Sequence, residues 1–144
     1  MIIEESILIK ADLKEVWDTF TNLTCWEGWN TIIRDVESEV KYIETGCQLI
    51  CNFRPFFFPI NVAIHVKEVK SSESISWRVE KPGLLAEHIF YFKKIKDGVL
   101  VTSKETFSGF LVRNAKFIVP KQKIISLTKT FLNDLKKASE HSKV

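Results

Sequence analysis

His88 and Glu105 are the two side chains of this chain whose types and spacing suit proton chemistry. They lie in alternating segments, 86–96 and 99–108, joined through Asp97-Gly98. Asp-Gly between such segments is a strong hairpin signal, because a tight two-residue turn wants positive φ. With that turn Lys96 faces Val99, Phe92 faces Ser103, Phe90 faces Glu105 and His88 faces Phe107. One face of the hairpin then carries His88, Phe90, Phe92, Val101, Ser103, Glu105 and Phe107. His88 and Glu105 become diagonal neighbours within hydrogen-bond reach. Such a pair orients a ligand carbonyl or hydroxyl, or serves as general acid and base. Equally, the two groups simply satisfy each other. The structural reading weighs more, because catalytic assignments need converging partners. Ser103 and Glu5 share the same parity more weakly.

Other chemistries lack their residues. Glycine-rich phosphate loops, Ser/His/Asp sets and Cys/His clusters do not occur, which argues against nucleotide chemistry, triad hydrolysis and metal catalysis. No cofactor and no metal are expected. Cys47 and Cys51 lie four apart in a strand-like segment, about 13 Å between Cα atoms and too far for a disulfide. With Cys25 the count is odd, so three reduced, mostly buried thiols are expected, which suits a cytoplasmic protein. His65 falls on the polar parity of its segment and should be exposed.

The totals point the same way. The 144 residues suit one domain, 1–144, with a real core. Hydrophobic residues are 45% and charged residues 27%, ordinary for a globular protein. The net charge of +3 is too small to suggest nucleic-acid binding. From Lys121 onward six lysines face Asp134 and Glu140, a local +4, so the basic excess lies on one C-terminal element. Those lysines offer a contact with anionic membrane during lipid transfer, against the commoner reading of a solvated helix face. Met1 leads into a segment charged within four residues, unlike a signal peptide. No apolar run approaches the roughly 20 residues that span a bilayer.

The elements that must position these groups follow from periodicity. "IIEESILIK" (2–10) reads as a strand. Leu13, Val16, Trp17 and Phe20 then form a helical stripe, with Asp12 and Glu15 as a capping box. Thr24 and Glu27 repeat that pattern before Gly28, so "TCWEGW" predicts a second, one-turn helix. Strands are predicted at 32–41, 47–54, 60–69, 74–81, 86–96 and 99–108, joined by short turns into an antiparallel meander. Ile60, Val62 and Ile64 fall on one side of their strand, as do Ile75, Trp77 and Val79, and Cys47, Leu49, Cys51 and Phe53. Segment 121–141 predicts a long amphipathic helix with Ile124, Leu127, Phe131, Leu135 and Ala138 on one face, widened by Ile125 and Leu132. The conformation of 110–120 is left open.

Two aromatic stretches remain. Trp26 and Trp29 lie too close together for so short a helix to bury both by itself. In "FRPFFFPI" three phenylalanines stand between Pro55 and Pro59, where a turn would be polar. Phe57 at its centre is read as part of a hydrophobic flap, against the alternatives of a loop folded on the core or an extended edge segment.

This order of elements resembles the helix-grip fold of the START-like (SRPBCC) superfamily, closest to its polyketide cyclase/dehydrase-like branch. The residues that carry the likeness are "ILIKADLKEVWDTFTNLTCWEGWN", "ISW", "EHIFYF", "ETFSGFL" and the C-terminal "LKKASE". None is a catalytic signature. The resemblance implies an α+β fold: a curved antiparallel sheet of about seven strands around the long C-terminal helix, with two short helices after the first strand. It also implies a cavity between sheet and helix, one end of which Trp26 and Trp29 would plug. Trp77, Phe90, Phe92, Phe107, Ile124, Leu127 and Phe131 would line that cavity, with Trp29 and Phe57 at its rim and His88 and Glu105 as polar handles. The implied partner is a small hydrophobic or amphipathic molecule, bound or carried. A cyclase or dehydratase enzyme and a chaperone-activating interaction module are the alternatives, and oligomeric state is open.

Overall fold

The computed structural model describes residues 1–53, 59–113 and 120–141. Strand β1 (Ile2–Ile9) leads into helix α1 (Leu13–Thr21), a 3-10 turn at Leu23–Cys25 and the one-turn helix α2 (Trp26–Trp29). Strands β2 (Ile33–Glu37), β3 (Gln48–Phe53), β4 (Ile60–Lys70), β5 (Ser74–Lys81), β6 (Leu84–Ile95) and β7 (Gly98–Ser108) follow. The one-turn helix α3 (Phe110–Arg113) and the long helix α4 (Lys121–His141) complete the order. The strands form one antiparallel, curved sheet in the order β1-β7-β6-β5-β4-β3-β2, as the meander predicts. Sheet alternation places Leu49, Cys51, Val62, Ile64, Ile75, Trp77, Phe90, Phe92 and Val101 on one buried face, and α4 packs across it.

The β6–β7 hairpin departs from the register expected for a turn at Asp97-Gly98. Ile95 pairs with Gly98, so Lys96 and Asp97 form the loop and every pair slips by two. Gly98 has φ +148°, and a Cβ there would lie 2.2 Å from the Ile9 carbonyl oxygen. The glycine serves the close passage of β1 against the hairpin. A slip of two keeps every side chain on its face, but it makes His88 and Glu105 direct partners instead of diagonal ones.

Both predicted capping boxes are absent. Asp12 holds the N-cap backbone of α1 without a side-chain cap, and Glu15 Oε2 is buried without a hydrogen-bond partner among the described residues. At the next corner Asn22 is the cap: its Oδ1 accepts from Thr24 N at 3.1 Å and from Thr24 Oγ1 at 2.6 Å. Thr24 is therefore the capped residue. Strand β2 is shorter than predicted, because Asp35 takes φ 55° and the ladder shifts between Arg34 and Glu37.

Trp26 is buried at 1% exposure, while its neighbour Cys25 is exposed, contrary to the expectation of mostly buried thiols. The short helix turns one side chain inward and the other out. Trp26 packs on Phe20, Trp77 and Phe131, and its Nε1 donates to the Phe20 carbonyl at 2.7 Å. That hydrogen bond lets an indole enter the core with its N–H satisfied.

Helix α4 buries Ile124, Thr128, Phe131, Leu132, Leu135 and Ser139. The buried stripe is rotated from the predicted one, since Leu127 and Ala138 are half-buried and Thr128 and Ser139 take the inward places. Polar contacts set that rotation. Asp134 Oδ2 accepts from Thr31 N at 3.0 Å and Thr31 Oγ1 at 2.7 Å. Glu140 accepts from the Lys10 N–H at 2.8 Å and pairs with Lys136. At the other end Leu111 N donates to Gly83 O at 2.9 Å, docking α3 on the β5–β6 turn.

Candidate functional site

The sheet register stacks the side chains into rungs. Glu105, His88 and Trp77 form one rung across β7, β6 and β5. Phe107, Ala86 and Val79 form the next towards one end, and Ser103, Phe90 and Ile75 the next towards the other. Between these rungs and α4 lies a cavity of about 200 Å³. Fifteen of its nineteen lining residues are apolar, so it is a hydrophobic chamber; Lys81, His88, Glu105 and Thr128 are the four polar ones.

Eight of the residues predicted from the sequence reach the wall. Trp77, His88, Phe90, Glu105 and Phe107 come from the sheet, and Ile124, Leu127 and Phe131 from α4. Phe92 does not line it: its ring lies 5.0 Å from Trp17, under α1, and belongs to the core. Trp29 also stands behind the wall, tilted against Phe131 at 5.8 Å and 6.0 Å from Trp26. Phe57 lies outside the described residues. Ile32, Ile33, Phe53 and Ile60 close the β2–β4 side, and Val62, Ile64, Leu84 and Thr128 also belong to the lining. The parity of β4 pointed to Ile60, Val62 and Ile64; Ile32 and Ile33 follow the α2 corner, where no periodicity flags them.

The polar groups of this rung, Glu105 and His88, continue to Ser103 of the adjacent rung. His88 Nδ1 lies 3.3 Å from Glu105 Oε2, and His88 Nε2 lies 2.6 Å from Ser103 Oγ. The His88 and Glu105 side chains are 13% and 17% exposed, and Ser103 is fully buried. In the Ser103–His88 hydrogen bond either atom donates, according to the imidazole tautomer. The Nδ1–Glu105 approach is an ion-pair contact rather than an aligned hydrogen bond. The imidazole is further fixed by stacking on Phe90 at 4.1 Å and an edge contact with Trp77 at 5.6 Å. Both ring nitrogens are thus engaged within the sheet. Glu105 keeps a second oxygen that has no partner among the described residues, and this is the acceptor offered to the chamber. Glu5 pairs with Ser103 in the β1–β7 ladder but is not part of the lining.

The remaining groups are chemically quiet. Lys81 Nζ donates to the Asn61 carbonyl at 2.7 Å. Burial pushes the Cys51 thiol up to about 12, which keeps it from acting as a thiolate nucleophile, and burial also raises that of Cys47. Among the described residues no three His, Cys, Asp or Glu side chains gather in a metal-holding group. No described helix is long and apolar enough to cross a membrane.

No protein-family model and no curated protein sequence matches the chain. Solved structures do match in shape. Protein TTHA0849 from Thermus thermophilus superimposes with a TM-score of 0.80 over 100% of both chains at 10% identity. A START superfamily protein from Mycobacterium smegmatis gives 0.70, covering 98% of this chain and 95% of that one at 14% identity. The di-domain ARO/CYC protein BexL of the BE-7585A biosynthetic pathway gives 0.71 at 14% identity, over 98% of this chain and 49% of its own. At such identities the likeness speaks for architecture: a curved seven-stranded sheet gripping a long C-terminal helix, the START-like (SRPBCC) helix-grip fold.

Proposed function

We propose that residues 1–144 act as one ligand-binding domain that holds a small hydrophobic or amphipathic molecule between the sheet and α4, for transport or sequestration. The observation that carries this reading is the apolar chamber of about 200 Å³ with a polar rung in its wall. Apolar walls with a few placed polar groups are the common composition of small-molecule sites. Binding would be driven by the removal of ligand and wall surface from water, at about 25 cal/mol per Å². The Glu105–His88 rung would fix which end of the ligand lies where. The reduced cysteines suit a cytoplasmic location.

Native mass spectrometry of the purified protein, followed by a thermal-shift panel of lipids and aromatic molecules, tests the proposal. A co-purifying molecule or stabilisation by panel members is expected. A bare mass together with no stabilisation across the panel would overturn it.

A second reading, an enzyme of the cyclase or dehydratase kind, is favoured by one observation: the chamber wall holds a carboxylate, Glu105, beside an imidazole that Ser103 ties in place, a pair suited to proton transfer on an enolisable substrate. The likeness to BexL, an ARO/CYC protein, supports the same reading. Glu105→Gln would then abolish turnover of a polyketide-type substrate while leaving its binding. A protein-interaction module would call for a filled interior, and the chamber weighs against that.

A further inference from the structure

We infer that Glu105 makes the chamber selective for a molecule with a protonated amine on an apolar, ring-bearing body. This deepens the ligand-binding reading above and rests on it. The carboxylate stands on a mostly buried wall and its one ion-pairing partner among the described residues is His88. His88 Nε2 is taken up by the buried Ser103 hydroxyl, which ties the imidazole to the sheet and leaves the second Glu105 oxygen to the chamber. Lys81, the cationic residue of the lining, donates to the Asn61 carbonyl. Lys81 is exposed and stands two rungs from Glu105 along the ladder, so among the described residues no Lys or Arg lies within ion-pair reach of Glu105, the acidic side chain of the lining.

Such a charge has a definite preference among ligands. A ligand carboxylate would add a second negative charge to an apolar space, which is strongly disfavoured. A hydrocarbon would fill the walls and leave Glu105 as it is. An ammonium would hydrogen-bond the free carboxylate oxygen and neutralise it, a charge-assisted contact of the stronger kind. Trp77, Phe90 and Phe107, in the lining on the same and adjacent rungs, give the ring-bearing body of the ligand aromatic surface to pack on.

Titration calorimetry of the intact protein with naphthylethylamine, naphthylethanol, ethylnaphthalene and naphthylacetate tests this, since the four differ in one group. The amine should bind about tenfold or more tighter than the hydrocarbon, as a hydrogen bond to a charged group implies. The acid should bind more weakly than the hydrocarbon. Glu105→Gln should erase the preference for the amine over the hydrocarbon, with far-ultraviolet circular dichroism verifying that the variant is folded. Equal binding of all four would overturn the selectivity and leave the hydrophobic site standing; binding of none would overturn both. Tighter binding of the acid than of the amine, or an amine preference that survives Glu105→Gln, would also refute the role of Glu105. Should the variant not fold, the ranking of the four by the unaltered protein decides the matter.

Discussion

Phe131→Ala measures how firmly α4 is seated. Phe131 is 5% exposed, and its ring lies 5.9 Å from Phe20, 6.5 Å from Trp26, 5.8 Å from Trp29 and 5.5 Å from Phe90. Truncating a buried phenylalanine costs about 3–5 kcal/mol. One edge of this ring already borders the chamber and lacks packing partners, which favours the lower end, about 3 kcal/mol. Leu127, one helical turn away, is half-buried and also borders the chamber. Leu127→Ala should cost about 1 kcal/mol, below the usual range for fully buried leucines. For a domain of this size each kcal/mol lowers Tm by about 3–4 °C, so the two variants should fall by about 10 °C and about 3 °C. Urea unfolding followed by far-ultraviolet circular dichroism gives the free energies, with an unchanged m-value confirming a common unfolded state. Equal losses at the two positions, or a loss below about 1 kcal/mol for Phe131→Ala, would refute the rotated seating of α4.

Gly98→Ala should destabilise the protein by more than about 2 kcal/mol, because its Cβ would collide with the Ile9 carbonyl as well as strain the backbone; a melting temperature unchanged from the parent would contradict that contact. Alkylation with iodoacetamide at mild alkaline pH should label exposed Cys25 first and Cys51 last, since burial holds the Cys51 thiol at about 12; peptide mapping over time reads the order. The Lys136 hydrogen bond, reinforced by the Lys10 N–H, holds the Glu140 carboxyl below its ordinary range. A depressed folded value means that this stabilisation is complete above the ordinary carboxylate pKa and is lost as pH falls through the lowered one. Glu140→Gln should therefore flatten the acid side of the stability-versus-pH curve and leave its shape above neutrality unchanged, read by urea midpoints across that range.

Much of the architecture was legible because the periodicities are clean. Ile60, Val62 and Ile64 alternate, Val16, Trp17 and Phe20 follow a helical stripe, and short turns admit few topologies. Parity also put His88, Glu105 and Ser103 on one face. Their contact geometry was not legible, because the hairpin register turned on Gly98, whose constraint comes from Ile9, far back along the chain. Phe92 was assigned to the wall by the same parity that placed Phe90; only the position of α1 over the sheet separates core from lining. The rotation of α4 was equally hidden, because Leu127 and Thr128 are adjacent and hydropathy prefers leucine. Thr31 and Asp134 decide between them through a tertiary hydrogen bond. The second cap failed for a local reason: Asn22 starts its turn before Thr24 can.

Among the described residues strand β1 finds its ladder partner in β7 alone, with Ile2 opposite Thr106 and Ile9 opposite Val99. Pairings so distant along the chain give a high contact order and slow folding. During translation, residues 2–9 must wait for the β6–β7 hairpin to emerge before they have anything to join. A chain interrupted before residue 98 would leave both β1 and the edge of β6 unmatched, apolar and open to a neighbour's backbone, a route to aggregation. Of the seven strands in this sheet, the first along the chain is thus among the last to be secured.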